Sequence, residues 1–391
     1  MKRFSAAFIE IISSVKSKFD KKNEIYKNGV DNDYPELIES LIDNSVTASR
    51  CAALMASYIS GKGFGDELNK IIVHDKKKIS LLQLVQDIAE SYSRHKGFFI
   101  QLNYDLNYNF SSIECLPFTD CRVGKEDDDK YKGKIAVCSD WQDAKEVKKA
   151  KLVDVYNDNK KVVETQINKA GSIHKYNGQI YYYHEGKKNY PLSPLHPCIE
   201  DSESEKLSAI YKSTSLKKGF FGKTLFITKP LVEADRYNED EAKEYQDQVK
   251  ERTNFREVIK QFIGAENADG VLHLEMEFDG EDIEKEILVK NIDSNINDKL
   301  FSYTENSVSD NIRMCFNNVP APLIRSKEGA LFGSSGDAIN AMKLFYQDQT
   351  NDERMIVEQT IQMLLSRFAN KPNQEIKLIP LIDVNQQANN S

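Results

Sequence analysis

The sequence predicts an α+β chain, and three observations predict it. Two early segments space apolar residues at helical intervals, residues 112–190 break into short Val/Ile/Tyr-rich pieces, and residues 298–368 return to long helical periodicity around a proline corner. The 391 residues are 40% hydrophobic and 29% charged, enough to bury a sizeable core in two or three domains.

Phe4 to Ile12 follows Lys2-Arg3 in the manner of a signal sequence, but Glu10 interrupts it and no small-residue cleavage site follows, so an N-terminal amphipathic helix is expected. Residues 34–60 place Leu37, Leu41, Ile42, Ser45, Ala48, Ala52, Met55 and Ile59 three and four apart, one buried helical stripe that Gly61-Lys62-Gly63 ends. Ser80 with Gln83 reads as a capping box for a helix through Leu84, Val85, Ile88, Ala89 and Tyr92, which Gly97 stops before strand-like Phe98 to Leu102. From Ser112 to about Tyr190 a β-rich insert is expected, its one helical exception lying around Trp141 to Ala150. The acidic run Glu126 to Asp129 reads as a solvated loop.

After Pro191, Pro194 and Pro197, Ser202 with Glu205 suggests the cap of a helix whose apolar stripe is thin: Leu207, Ile210, Tyr211 and Thr214. Such a helix is stabilised mainly by identical neighbours packed beside it, as in the wall of a ring. Asn238 with Glu241 opens another helix, running to Gly264. Leu272, Leu274, Met276 and Phe278 alternate as a strand, and Asp279-Gly280 predicts a hairpin toward Ile287-Leu288-Val289. Phe301, Val308, Ile312, Cys315 and Val319 line the helix before the corner Val319-Pro320-Ala321-Pro322-Leu323. Ile339, Met342, Phe345, Ile356, Leu364 and Phe368 line one long helix after it. The tail Asn385 to Asn390 reads as disordered.

Charge and cysteine usage narrow the function. The net charge of -8 does not favour wrapping nucleic acid. Six scattered cysteines without a CxxC pair read as reduced and cytoplasmic. No apolar run reaches the length of about 18 residues that a membrane span requires, so a soluble chain is expected.

No catalytic cluster accompanies these elements. Gly219-Phe220-Phe221-Gly222-Lys223-Thr224 ends like a phosphate-binding loop, but position 217 is lysine and the order is helix, glycine, strand. A turn into strand Leu225-Phe226-Ile227 is the simpler reading. Gly61-Lys62-Gly63-Phe64-Gly65 follows a helix and opens no βαβ unit. His196-Pro197-Cys198 lacks the Cys-x-x-Cys continuation of a zinc deaminase, and His74, His95, His174, His184 and His273 show no ligand spacing. Glu375-Ile376-Lys377 is read as charge alternation on a terminal strand, and Ser335 or Asp337 as an N-cap.

Five segments, in order, resemble portal proteins of tailed bacteriophages, particularly those of phages infecting Bacteroidetes. They are Asn32-Asp33-Tyr34-Pro35 with the helix to Gly61-Lys62-Gly63-Phe64, then Tyr190-Pro191 leading to Lys218-Gly219-Phe220-Phe221-Gly222, then Gly264-Ala265-Glu266-Asn267-Ala268-Asp269-Gly270, then Val319-Pro320, and Gly333-Ser334-Ser335-Gly336. Around Leu323-Ile324-Arg325 the sequence departs from the family's Leu-Phe-Gly-like corner.

The resemblance implies an α+β portal fold with wing, stem, clip and crown regions. It places the N-terminal part of the wing in 1–138, a stem helix in 139–150, the clip in 151–192 and the return stem helix in 193–224. Wing with tunnel loop would follow in 225–334, and the crown helix with its tail in 335–391. It implies a ring of this chain, usually twelve-fold, at one capsid vertex of the virion, assembled in the host cytoplasm. Its partners would be the terminase large subunit, the major capsid protein and a neck or adaptor protein, with double-stranded DNA passing without sequence specificity and no membrane. No enzyme activity, cofactor, metal or catalytic residue is implied. Asp279, Glu281, Asp282, Asp293 and Asn295 are the tunnel-loop candidates facing DNA, and Leu207, Ile210 and Tyr211 the stem contacts between subunits. Two alternatives stay open: another ring-forming virion or scaffold component, and a nucleotide-binding enzyme using Lys223 and Thr224.

Overall fold

The computed structural model describes residues 17–124, 133–218, 223–228, 271–275, 287–292, 298–324, 336–372 and 374–382. The chain divides into two units, Met1–Ser202 with Asp310–Ser391, and Glu203–Ser309. The expected helices at 4–12 and 238–264, the acidic run, the Gly264 to Gly270 turn and the C-terminal tail lie outside the described residues.

In the first unit, two short strand pairs, β1 (Phe19–Asp20) with β2 (Ile25–Tyr26) and β3 (Ile72–His74) with β4 (Ile79–Ser80), flank a helical layer. The stripe expected as one helix over 34–60 is two helices, α1 (Tyr34–Asn44) and α2 (Val46–Ser60). Ser45 adopts an extended backbone between them and its hydroxyl accepts from the Ala48 amide at 3.0 Å, so a residue assigned to the buried stripe is an N-cap instead. The break lets α1 turn Ile38 and Ile42 inward while α2 buries Ala48, Ala52, Met55 and Ile59. A single turn, α3 (Asp66–Asn69), precedes β3. Helix α4 (Leu81–His95) begins as expected, with Ser80 accepting from the Gln83 amide, and buries Leu84, Val85, Ile88, Ala89 and Tyr92. It ends on Lys96 in the left-handed region (φ 55°), one residue before the glycine expected to stop it. Gly97 instead starts the next strand, where a Cβ would meet the Tyr183 carbonyl at 2.8 Å.

Strands β5 (Gly97–Tyr104), β6 (Phe110–Leu116), β7 (Cys121–Val123), β8 (Lys134–Val137), β9 (Lys151–Val155) and β10 (Gln179–His184) form one sheet in the order β6-β5-β10-β9-β8-β7. The β-rich stretch is therefore no insert: β10 pairs with β5, which lies before it. The run Phe98-Phe99-Ile100 has no alternation because both faces of β5 are covered. Phe98 meets Tyr92 of α4, while Phe99 stacks on Tyr182 at 4.1 Å and joins a cluster of Phe118, Cys121, Ile135, Val153 and Ile180.

Strands β9 and β10 are parallel neighbours, and a parallel pair needs a long crossover. Helix α6 (Lys160–Ala170) provides it, within a stretch where only strands and turns were expected. Asn159 caps it at the Lys161 amide, Gly171 ends it at φ 87°, and Val163 and Ile167 are its buried side. The helical exception expected around Trp141 shrinks to one turn, α5 (Ala144–Val147). Trp141 instead packs with Ile25, Ala136 and Cys138, and its indole N–H donates to the Asp120 carbonyl at 3.0 Å.

Helix α7 (Ile199–Lys218) straddles the division between the units, and so does α8 (Asp298–Cys315). Ser202 is not its cap: α7 starts three residues earlier, out of the turn His196–Cys198, and the Ser202 hydroxyl donates to the Leu41 carbonyl at 3.0 Å. The second unit holds β11 (Lys223–Thr228), β12 (Val271–Glu275) and β13 (Ile287–Ile292) in the order β12-β11-β13. The hairpin expected at Asp279-Gly280 is thus overturned. β11, an uninterrupted apolar run at its centre, takes β12 as a parallel neighbour and β13 as an antiparallel one, so those two strands never pair.

Beyond the corner lie a single turn, α9 (Ala321–Ile324), then α10 (Gly336–Gln349) and α11 (Asn351–Ser366). The last two replace one expected helix. Thr350 divides them, its hydroxyl donating back to the Tyr346 and Gln347 carbonyls. Tyr346 and Val357 are buried where Phe345 and Ile356 were expected, and Phe345 is exposed. Residues 374–382 form no strand; the Ile379 backbone bonds to Lys62 and Gly63 across the end of α2.

An acid-sensitive tie joins α1 to α4. His95 Nε2 lies 2.8 Å from a Glu39 carboxylate oxygen, and Arg94 pairs with the other oxygen. Burial pushes the Glu39 carboxyl up, but the His95 hydrogen bond, its charge and Arg94 pull it further down, below the ordinary 4.5. A depressed carboxylate stabilises the fold above its unfolded value and loses that contribution as pH falls through the folded one. Glu39→Gln should therefore melt below the parent at pH 7, with the gap narrowing below about pH 4.5. Melting curves at several pH values test this, and a gap of constant size from neutral to acid pH would refute it.

Candidate functional site

The motif residues build structural joints. Asn32 takes a left-handed backbone (φ 64°) just before α1, and its side-chain oxygen accepts from the Asn28 amide at 3.0 Å and from Arg122 Nε at 2.7 Å. Arg122 is fully buried. Its remaining N–H groups reach the carbonyls of Asn32, Thr119 and Cys121 and the Glu36 carboxylate, and its guanidinium lies over the Trp141 ring. Next to it the Tyr34 hydroxyl accepts from the Ser193 amide and meets His196 Nδ1 at 3.2 Å. Burial, then the charge of Lys188, lowers the His196 pKa, which favours a neutral ring that accepts from the phenol. Tyr190 completes the joint: its hydroxyl donates to the Tyr26 carbonyl and accepts from the Val123 amide. Asn32, Tyr34 and Tyr190 thus tie α1 to the sheet edge.

A second joint lies at the proline corner. α8 ends at Cys315, four residues short of the expected stop, because Asn317 and Asn318 both take left-handed backbones (φ 57° and 55°). Asparagine tolerates that region better than most residues, and the chain turns before Pro320. The Asn317 amide donates to the Gln349 carbonyl at 2.9 Å and to Glu353 at 2.7 Å, and the same buried carboxylate oxygen accepts from Lys96 at 3.0 Å. Phe316 and Val319 are buried, and Tyr346 donates to the Phe316 carbonyl.

Gly61 and Gly63 form the third joint. Both have positive φ, and a Cβ on Gly61 would meet the Ile379 carbonyl at 2.2 Å, so this glycine cluster is a helix end pressed against backbone.

Among the described residues no three His, Cys, Asp or Glu side chains come together to hold a metal ion. His74 lies beside Glu114, His95 beside Glu39 and His196 beside Tyr34, each in a separate contact. Lys223 and Thr224 begin strand β11, opposite Ile292 and Asn291 of β13, and no helix follows them directly as a phosphate loop requires. An open groove of about 710 Å³ has a lining that includes Val123, Val155, Tyr182, His184 and Lys134. Lys134 there is paired with Asp154 at 3.3 Å.

Of the residues expected to carry function, Leu207 is half exposed on α7, with Ile210 and Tyr211 partly buried. Asp279, Glu281, Asp282, Asp293 and Asn295 lie outside the described residues. Sequence reasoning missed Arg122. The one signal for it is an arginine amid Cys121 and Val123 in a strand that otherwise reads as apolar.

No protein-family model matches this sequence, and no curated protein does. Solved structures do match. A chain of the virion of the native gene transfer agent particle superposes with a TM-score of 0.52 at 14% identity, over 92% of this chain and 86% of that one. A chain of the neck of the native gene transfer agent particle, computed with C12 symmetry, gives 0.51 at 14% identity, over 91% and 87%. An HK97 family phage portal protein from Corynebacterium diphtheriae gives 0.36 at 8% identity, over 78% and 82%, a level that carries no weight. At such identities the shared property is the fold. The chain has the mixed helix and sheet fold of a component of those particles, along nearly its whole length.

Proposed function

We propose that this chain is a portal subunit, similar to those of phages infecting Bacteroidetes, and that copies of it form a ring at one vertex of a capsid. The observation that carries this reading is the fold shared over 91% of the chain with a component of a neck of C12 symmetry. The ordered motifs of the sequence point the same way independently. In this reading the ring is a passage for double-stranded DNA during packaging and ejection, and a platform for the terminase large subunit and a neck protein. It sits against the major capsid protein in the virion after assembly in the host cytoplasm. The net charge of -8 suits a passage that must not grip, since neutralising many phosphates would hold the DNA. No chemistry by this chain is needed.

The two-unit division favours a revised regional plan. β9 and β10, within the stretch expected to be the clip, belong to a sheet with β5 and β6 in the first unit, and 139–150 holds one helical turn. The second unit, 203–309, is the better candidate for the clip, and α7 and α8, which both straddle the division, for the two stem helices. Asp279, Glu281, Asp282, Asp293 and Asn295, expected in a tunnel loop of the wing, fall within 203–309 on this plan and are proposed as channel-facing there.

Electron microscopy of the purified protein tests the ring. Closed annuli with a central hole are expected, and a strictly monomeric protein at micromolar concentration with no ring in particles would remove this reading. Leu207 supplies a finer test. Placing a carboxylate on that half-exposed apolar position should cost each subunit contact on the order of 1–3 kcal/mol, so Leu207→Asp should raise the concentration needed for rings by roughly 5- to 150-fold. Rings of unchanged yield would show that α7 is not a subunit contact.

A further inference from the structure

The sequence scatters its cysteines, but the fold brings together two of them that flank residues 203–309 in the chain. Cys198 closes the turn that feeds α7, and Cys315 is the last residue of α8. Their sulfur atoms are 2.6 Å apart although the residues are 117 positions apart in the chain. The surroundings hold both: Cys198 Sγ lies 3.5 Å from the Asn311 carbonyl, and the Asn311 side chain donates to Asp201 at 3.2 Å. Ser202, one residue further, is tied to the end of α1.

We propose that Cys198 and Cys315 form a reversible disulfide that locks the start of α7 to the end of α8. The bond encloses all of 203–309 in a covalent loop. It is independent of the ring reading.

The oxidant is a small-molecule disulfide. Cys315, the more exposed thiol, loses its proton and attacks one sulfur of that disulfide, releasing one small thiolate and leaving a mixed disulfide. Cys198, buried beside it, then loses its proton and attacks the Cys315 sulfur. The second small thiolate leaves. Two protein thiols are oxidised, one small disulfide is reduced to two thiols, and the two protons pass to those thiolates. Burial, with the charge of Asp201 nearby, holds both thiols above their ordinary range, so the exchange is slow at neutral pH and quickens as pH rises.

The test uses the full-length protein equilibrated with mixtures of reduced and oxidised glutathione, then alkylated, digested and mapped by mass spectrometry. The expected result is a linked peptide pair carrying Cys198 and Cys315, reversed by dithiothreitol, with two alkylatable thiols lost. The oxidised form should also melt higher than the reduced form, and Cys315→Ser should lose both the link and that rise. Cys138→Ser should oxidise as the parent does. Six alkylatable thiols in the most oxidising mixture would overturn the proposal, as would a link from Cys198 to any other cysteine or an oxidised form with unchanged melting. If Cys315→Ser does not fold, the peptide map of the parent protein decides alone.

Discussion

Replacing Arg122 by alanine is expected to lower the unfolding free energy by about 3–5 kcal/mol, the cost of breaking a buried charged network by removing one member. Arg122 has no exposed side-chain surface, and its donors satisfy Asn32, three backbone carbonyls and Glu36. Truncation leaves a cavity beneath Trp141 and takes the arginine donors away from the three carbonyls, while the Asn32 side-chain oxygen keeps the Asn28 amide. Glu36 is partly exposed and can rehydrate, so the loss falls mainly on the carbonyls and the cavity. Arg122→Lys should recover little, because an ammonium cannot reproduce the planar fork that reaches Asn32 and Glu36 together. Urea denaturation of both variants measures this, and an alanine variant within 1 kcal/mol of the parent, by about the scale of one ordinary hydrogen bond, would show that the network is not a keystone.

What the sequence made legible follows from how local each signal is. The Ser80 cap and the buried stripe of α4 were readable because one turn of chain contains the whole signal. The breaks at Ser45 and Thr350 were not, since a serine or threonine in an apolar stripe looks like a tolerated polar residue until its hydroxyl is seen bonding backbone. α6 was missed because it buries only Val163 and Ile167, and its necessity comes from the parallel pairing of β9 with β10, a relation between distant segments. The same holds for β11 between β12 and β13: alternation identifies strands but not neighbours. At the candidate site the motif Asn32-Asp33-Tyr34-Pro35 was visible as a resemblance, yet its physical role depends on Arg122 and Ser193, which no spacing rule connects to it. The meeting of Cys198 with Cys315 was illegible for the same reason.

The proline corner should depend on Tyr346 as strongly as the sheet edge depends on Arg122. Tyr346 is fully buried on α10, its ring meets Tyr58 of α2 edge to face at 5.0 Å, and its hydroxyl donates to the Phe316 carbonyl at 3.0 Å. That carbonyl belongs to the first residue after α8, where the chain leaves the helix and no intrahelical amide can satisfy it. One side chain thus joins α2, α10 and the corner, through two separable interactions. Tyr346→Phe removes only the hydroxyl and should cost about 1–3 kcal/mol, the penalty of leaving a buried acceptor unsatisfied. Tyr346→Ala removes the ring as well and should cost about 3–5 kcal/mol, as large aromatic truncations in packed cores do. Hydrogen exchange supplies a local readout: in Tyr346→Phe, the amides of Asn318 and Val319, bonded to Met314 and Arg313, should exchange faster while those of β5 do not. Equal losses for the two variants would assign the whole effect to the hydrogen bond, and unchanged exchange at Asn318 and Val319 would show that the corner holds without Tyr346.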